Sequence, residues 1–366
     1  MSPHRLLLGA VATALAVLTV ATATLTSSAT TLDTAHPALR ADSSRAGRCA
    51  SRAPIPVSRL RAESRSGCSL VGRLVTDGRV AVAVPPVGLT VSGDGMTRQG
   101  DVPDLTVSNL GGHVRAVRHA QLSHRRPAAG PSGDAGGWVI TPLPGSSPVG
   151  LVGPSDPSLA AYSGPTAACR DRTYHLEGGH HWVGRLRYSI NLDRMPRRFD
   201  ASTVVSQIRA ANANMRTGRN TCGKPALATP RAVYLGLTTR RPDIRAAGPT
   251  CTRPGNPANV VGFGDLPAGL LGWTCYWYDA SGHMVGADMM IDNGKHLATR
   301  LPRGCTHLWD FEGTVTHEWG HAYGLAHSGS GHPNLTMQHA LKPCSTYART
   351  LGLGDWRGMD ALYGHR

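Results

Sequence analysis

Residues His317–His327 read HEWGHAYGLAH, and the rest of the chain is interpreted from this stretch. Its spacing is H-E-x-x-H-x-x-G-x-x-H. On a helix, His317 and His321 lie one turn apart on the same face, so both imidazoles can bind one metal ion. Gly324 can take a positive φ, which ends the helix and lets His327 return as a third ligand. Three protein ligands leave the fourth position of a zinc ion open, as in catalytic sites.

The chemistry of the motif depends on Glu318, which directly follows the first histidine. Its carboxylate is expected beside the metal, where it can hold a water molecule and accept its proton. A zinc ion lowers the pKa of that water toward about 7, so hydroxide forms at neutral pH. The alternative is an amphipathic core helix that carries histidines by chance. Such a helix has no use for Gly324 and His327 at these positions.

With its glycine and third histidine, the stretch closely resembles the metzincin superfamily of zinc metalloproteases. The resemblance implies a zinc-dependent endopeptidase with one catalytic Zn²⁺ at His317, His321 and His327, and with Glu318 as general base. Metzincins also place a methionine in a tight turn under the metal, and Met337 fits that position. A lone methionine is otherwise most often core filling.

The end of the chain carries a second part of the resemblance. Residues Leu353–Gly364 have apolar side chains at helical spacing and close on Leu-Tyr-Gly, as matrixin-type metzincins do. The similarity covers residues 185–364. Some metzincin groups have a tyrosine two residues after the methionine, but this chain has His339 there. We therefore expect no tyrosine hydroxyl at the zinc, and we predict that His332 and His339 are exposed.

Residues 169–366 predict an α+β catalytic domain. Asp200 or Ser202 can cap a helix that Gly218 ends. Apolar and alternating runs predict strands at 186–191, 232–237, 272–278 and 287–291. The order of strand, helix, several strands and zinc helix matches the metzincin catalytic domain, a twisted mixed sheet with a zinc helix and a C-terminal helix. By that resemblance, residues 287–291 form the edge strand that pairs with an extended substrate, although an ordinary sheet strand is equally compatible.

Residues 1–29 have the features of a secretion signal: a basic start, an apolar run and small residues at two possible cleavage positions. The apolar run is shorter than the ~20 residues that span a bilayer. A retained membrane anchor is the alternative, but no basic stop-transfer cluster follows the run. We therefore predict a secreted, extracellular protein without stable membrane insertion.

Residues 30–126 predict a small β-rich unit that precedes the catalytic domain. Short alternating runs indicate its strands, and Gly, Pro and Asp interrupt them, as in Gly93–Gly95. Residues 127–168 are rich in Pro, Gly and Ser and are interpreted as a linker. Because proteases of this type are often made with an inhibitory pro-segment, the unit before the linker is a candidate for one.

The chain has eight cysteines. An even number in an exported chain favours disulfides, and the split between the two parts favours Cys49–Cys68. The pairing of the other six stays open. Matrixins hold the precursor zinc with a cysteine thiolate, but the residues around Cys49 and Cys68 do not reproduce that motif. A disulfide is therefore preferred to a thiolate cap.

The chain carries a formal net charge of +15, and all but three of its 38 basic residues are arginine. This bias, with abundant Ala and Gly, is typical of a GC-rich bacterial genome. A basic surface can hold acidic polymers, so a non-enzymatic polyanion-binding module is one alternative function. The chain has no dense basic run with interleaved aromatics, which argues against a specific nucleic-acid partner.

The expected partner is a protein or peptide substrate, and the expected state is a monomer. A secreted zinc peptidase or amidase acting on cell-wall peptides is the other alternative, because it would share the same ligands. A serine hydrolase is not expected, since the chain has no G-x-S-x-G elbow. Calcium binding by Asp288, Asp292 and Asn293 is conceivable but fits no loop pattern.

Overall fold

The computed structural model describes residues 51–98, 104–111, 113–118, 164–252, 258–267 and 269–366. The predicted secretion signal, Cys49 and most of the predicted linker lie outside these ranges. Within them the chain is α+β, as predicted, with mixed sheets and few helices. The α-helices are Val57–Ser64 (α1), Pro165–Ala168 (α2), Ala201–Thr217 (α3), Phe311–Ala322 (α4) and Leu353–Tyr363 (α5).

The strands fall into an N-terminal group and a later group. The first group is Ile55–Pro56 (β1), Leu74–Asp77 (β2), Val80–Ala83 (β3), Leu89–Asp94 (β4), Leu105–Asn109 (β5) and Val114–Arg118 (β6). The second is His175–Leu176 (β7), Leu186–Ile190 (β8), Ala232–Leu237 (β9), Ile244–Arg245 (β10), Thr250–Cys251 (β11), Asn259–Gly264 (β12), Gly272–Asp279 (β13), Met284–Asp292 (β14), Leu297–Ala298 (β15), Trp309–Asp310 (β16) and Leu325–Ala326 (β17).

An eight-stranded mixed sheet organises the fold, with the order β6-β5-β4-β13-β14-β12-β8-β9. Strands β14, β12, β8 and β9 run parallel, and the other neighbours are antiparallel. A five-stranded sheet, β1-β2-β3-β11-β10, also joins the N-terminal part to the later part. Its apolar side chains and those of β4 and β5 form one core with Trp273 and Trp277 of β13. The N-terminal strands are therefore built into the same sheets as the rest.

The edge-strand prediction for residues 287–291 is wrong. These residues lie in β14, which pairs with β12 on one side and β13 on the other. Their side chains are buried all along the strand, which suits an interior position covered on both faces. The next strand outward is β13, and its outer edge is occupied by β4.

The interpretation of Gly93–Gly95 as an interruption between strands is also wrong. Gly93 and Asp94 belong to β4 and pair with Cys275 and Thr274 of β13. The alternating runs at residues 79–84, 105–107 and 113–117 predict strands that form as β3, β5 and β6, whereas β1 and β2 were not predicted. Helix α1 was not predicted, because Leu60 is its one buried residue and gives no apolar periodicity.

The two long helices begin and end at residues that the sequence indicates. The Asp200 carboxylate caps α3 by accepting a hydrogen bond from the Thr203 amide at 2.7 Å, and Gly218 ends the helix with φ 67°. At α4, Asp310 accepts from the Gly313 amide at 2.7 Å. The Arg349 guanidinium in turn donates to both Asp310 oxygens, at 2.8 and 2.6 Å. Asp310 therefore caps the first turn of the histidine-bearing helix while Arg349 holds the Asp310 carboxylate in place.

Disulfides join Cys169 to Cys222, Cys251 to Cys275 and Cys305 to Cys344. Cys68 is disulfide-bonded as well, so its thiolate is not available to cap a metal ion. These bonds indicate an oxidising environment, as found outside the cell. Among the described residues, no helix is long and apolar enough to cross a membrane.

We predict that Asp310→Ala lowers the free energy of unfolding by about 2 kcal/mol, because it removes a helix cap and the two hydrogen bonds from Arg349, which keeps only its ion pair with Glu312. Chemical denaturation followed by circular dichroism measures the change. Asp200→Ala is the matched control, since it removes the exposed cap of α3 and no ion pair, and its loss should be smaller. Equal losses in the two variants would contradict the role given to Arg349.

Candidate metal centre

The structure brings the three motif histidines together. Helix α4 carries His317 and His321, whose Nε2 atoms are 3.0 Å apart. His327 follows β17, and its Nε2 lies 3.2 Å from that of His317. One ligand atom from each of the three lies within 4.8 Å of the others. This spacing lets one divalent ion contact all three rings, which fits the predicted ligand set.

The return of His327 depends on Gly324. The helix ends at Ala322, and Gly324 then takes φ 100°, a conformation that other residues rarely adopt. A Cβ atom at Gly324 would also collide with the backbone oxygen of His180. Strand β17 then pairs antiparallel with β7, which sets the position of His327. The glycine of the motif is thus required by both its φ and its neighbours.

Backbone carbonyls orient two of the imidazoles. The Nδ1 of His317 lies 2.7 Å from the oxygen of Thr336, and that of His321 lies 2.9 Å from the oxygen of Leu325. A carbonyl only accepts, so Nδ1 carries the hydrogen and Nε2 directs its lone pair at the centre. Burial lowers the pKa of both rings well below the ordinary value, so they are neutral. Neutral imidazoles are the form that binds metal ions.

Met337 packs against helix α4, which carries His317 and His321. It is buried, and a Cβ at Gly320 of α4 would collide with its sulfur. The turn that holds it is fixed by Asp355 of α5, which accepts from the amides of Thr336 and Met337 at 2.7 and 3.0 Å. Sequence reasoning missed Asp355. The available signal was an acid in the first turn of a predicted helix.

The Glu318 carboxylate is fully buried and is held by two donors. The hydroxyl of Thr274 donates to Oε2 at 2.6 Å, and the amide of Met96 donates to Oε1 at 3.1 Å. Strand β13 approaches so closely that a Cβ at Gly272 would collide with this carboxylate. Burial raises the pKa of Glu318 to about 7, although both hydrogen bonds lower it. That value suits a group that takes up and releases a proton near neutral pH.

Two acids of the N-terminal part also reach the histidines, and the sequence did not predict them. Asp94 Oδ2 lies 3.1 Å from His321 Nδ1, and Asp94 Oδ1 lies 3.4 Å from His327 Nδ1. Asp104 Oδ2 lies 3.8 Å from His327 Nδ1. Asp94, Asp104 and His327 therefore form a second group that could hold a metal ion. Burial and then Asp104 raise the pKa of Asp94 well above its ordinary value.

The prediction that His332 and His339 are exposed is wrong for His339 and only partly right for His332. His339 is buried, not exposed, and its ring centroid lies 6.2 Å from that of His327, because the turn at Met337 carries it beneath the centre. His332 is partly buried, with Nδ1 2.9 Å from Asp171 Oδ2. Among the described residues, the acidic and histidine groups that could hold an ion do not include Asp288 or Asp292. These groups give no support for calcium.

No protein-family model matches the chain, and no curated protein matches its sequence. The similarity to metzincins therefore stands on the residues and spacings described above.

We predict that Asp355→Asn weakens zinc binding by about 10- to 100-fold, because one acceptor in the turn becomes a donor and the Thr336 carbonyl no longer holds His317. Competition with a chromophoric chelator measures the affinity. Asp360→Asn changes the same group at the exposed end of the same helix and should leave the affinity unchanged. An Asp355→Asn protein with wild-type zinc affinity would show that the turn does not orient the ligand.

Proposed function

We propose that the chain is a secreted zinc-dependent endopeptidase. The observation that carries this proposal is the convergence of three imidazoles, two of them fully buried and neutral, with a buried glutamate next to the first of them on the same helix. The glutamate is essential to the inference, because a structural zinc site needs no proton acceptor beside the ligands.

In the proposed hydrolysis, each of these residues would have a separate role. His317, His321 and His327 would hold the ion, which supplies Lewis acidity and a water of lowered pKa when it is bound. Glu318 would take the proton of that water and pass it to the leaving amine. The Thr274 hydroxyl fixes the direction of the Glu318 carboxylate. Its pKa of about 7 suits a group that must both accept and donate a proton.

Two further features support the proposal. Strand β13 supplies Thr274 and passes directly beside Glu318, so the proposed base is held in place by the central sheet. The disulfides fit a protein that works outside the cell.

We predict that Glu318→Gln lowers peptide turnover by ~1000-fold or more while zinc binding is retained, since the amide cannot accept the proton. The variant and wild type are compared as proteins recovered from culture medium, with peptide-library cleavage and metal content as the two measurements. A near-normal cleavage rate would reject Glu318 as the general base.

We also predict that a strong chelator abolishes cleavage and that added zinc restores it, because the open ligand position is where the reaction occurs. Casein and peptidoglycan stem peptides serve as parallel substrates. Cleavage of the stem peptides alone would redirect the proposal to a cell-wall hydrolase. Hydrolysis that persists in excess chelator would place the reaction elsewhere in the protein.

A further inference from the structure

Two buried acids lie side by side at the end of the β4–β5 pair. The two strands run antiparallel, with Gly93 opposite Leu105. One step further, the same register places Asp94 beside Asp104. Both acids are buried, and the Asp104 carboxyl lies within hydrogen-bonding reach of Asp94. Like charges directly opposite each other destabilise an antiparallel pair, and burial adds to that cost. A proton or a cation between the two carboxyls would remove the repulsion.

The Asp94 carboxylate also has an unsatisfied oxygen. Asp94 is 0% exposed, and its Oδ2 accepts no hydrogen bond from the described residues. His321 Nδ1 lies 3.1 Å from that oxygen but directs its hydrogen at the Leu325 oxygen. Glu177, which is buried as well, places a third carboxyl near Asp94. Buried carboxylate oxygens are normally satisfied by donors or by a cation. The unsatisfied oxygen therefore points to a positively charged ligand.

The same acids face His327 from the side opposite the three-histidine centre. The Nδ1 atoms of His317 and His321 face backbone carbonyls, as described above. His327 Nδ1 instead lies 3.4 Å from Asp94 Oδ1 and 3.8 Å from Asp104 Oδ2. Its Nε2 is the atom that meets the other two rings. His327 thus presents one nitrogen to each of the two groups.

The distances at His327 Nδ1 fit a shared ion better than direct hydrogen bonds. An N–H···O hydrogen bond is about 2.9 Å long, so gaps of 3.4 and 3.8 Å are wide for one. Two ligands that each lie about 2.1 Å from one ion, at the tetrahedral angle, are about 3.4 Å apart. One ligand atom from each of Asp94, Asp104 and His327 lies within 4.8 Å of the others. An ion between them would contact all three.

The donor set indicates which ion would bind. Three imidazoles suit zinc, whereas two carboxylates with one imidazole form a harder set that suits Mn²⁺. A ring that binds an ion through each nitrogen gives up its ring hydrogen, and that proton passes to solvent. Two dications that share one ring repel each other. The second ion should therefore bind more weakly than the zinc and fill its site after it.

We propose that Asp94, Asp104 and His327 Nδ1 form a second metal site, which takes a divalent ion such as Mn²⁺ beside the three-histidine centre. His327 would bridge the two ions. The proposal does not depend on the endopeptidase assignment, because it concerns metal binding alone. A bound ion would tie the β4–β5 pair to the residue that follows β17, and it should therefore stabilise the folded protein.

The first test uses the full-length protein after loading with zinc. Mn²⁺ is added, electron paramagnetic resonance separates the free from the bound ion, and elemental mass spectrometry follows the zinc. We expect about one Mn²⁺ per chain, with the zinc retained. If no Mn²⁺ binds, the two carboxyls share a proton and the proposal fails. If Mn²⁺ binds only as zinc leaves, it occupies the three-histidine centre and the proposal also fails.

Asp104→Asn tests the second site without altering the first, because Asp104 is not among the three histidine ligands. Loss of this carboxylate should lower the Mn²⁺ affinity by at least about 10-fold and leave the zinc content unchanged. Asp171→Asn is the matched control, since it makes the same change at a carboxylate that faces another histidine, His332. It should match wild type in both measurements. Equal Mn²⁺ affinity in Asp104→Asn and wild type would overturn the ligand assignment.

Thermal unfolding provides a second readout on the same proteins. Mn²⁺ should raise the melting temperature of zinc-loaded wild type and Asp171→Asn, because an ion bound only by the folded state stabilises it. It should raise that of Asp104→Asn much less. Circular dichroism before heating verifies that each variant is folded. An equal rise in all three proteins would show that Mn²⁺ binds elsewhere and would contradict the proposal.

Discussion

The central constraint on this molecule is that three imidazole nitrogens must meet at one point, two of them on fully buried rings. Burial makes the charged form of His317 and His321 costly, so both rings stay neutral. With their Nδ1 hydrogens directed at backbone carbonyls, these two rings present their Nε2 lone pairs to the point that His327 Nε2 also reaches. Much of the surrounding structure serves this arrangement: the glycine turn after α4, the short β7–β17 pair and the turn at Met337.

Support for the rings comes from parts of the chain far apart in sequence. Asp355 near the C-terminus fixes the turn whose carbonyl orients His317. Arg349 holds the Asp310 cap at the start of the histidine helix. Strand β13 brings Thr274 to Glu318, and the N-terminal strand β4 brings Asp94 to His321. The site is therefore a product of the whole described fold, and its chemistry depends on contacts that no local motif contains.

This distribution explains what could be predicted from sequence. The three histidines, Gly324 and both ends of α3 follow from local spacing and capping chemistry, which a single chain displays directly. The position of residues 287–291 inside the sheet, and the approach of Asp94, depend on strand order across long separations in sequence. From sequence, Gly93–Gly95 was interpreted as an interruption between strands. Its place in β4 follows only from the pairing of β4 with β13. His339 was misjudged for the same reason, because its burial is decided by packing around the turn.

The central claim is that His317, His321 and His327 together bind one divalent ion. The most direct measurement is metal analysis of the purified wild-type protein beside His321→Ala, by mass spectrometry of the bound elements. The account predicts about one zinc per wild-type chain and a large loss in the variant, since two remaining imidazoles bind zinc far more weakly. A wild-type protein that binds no metal, or a variant that keeps its full zinc content, would contradict it.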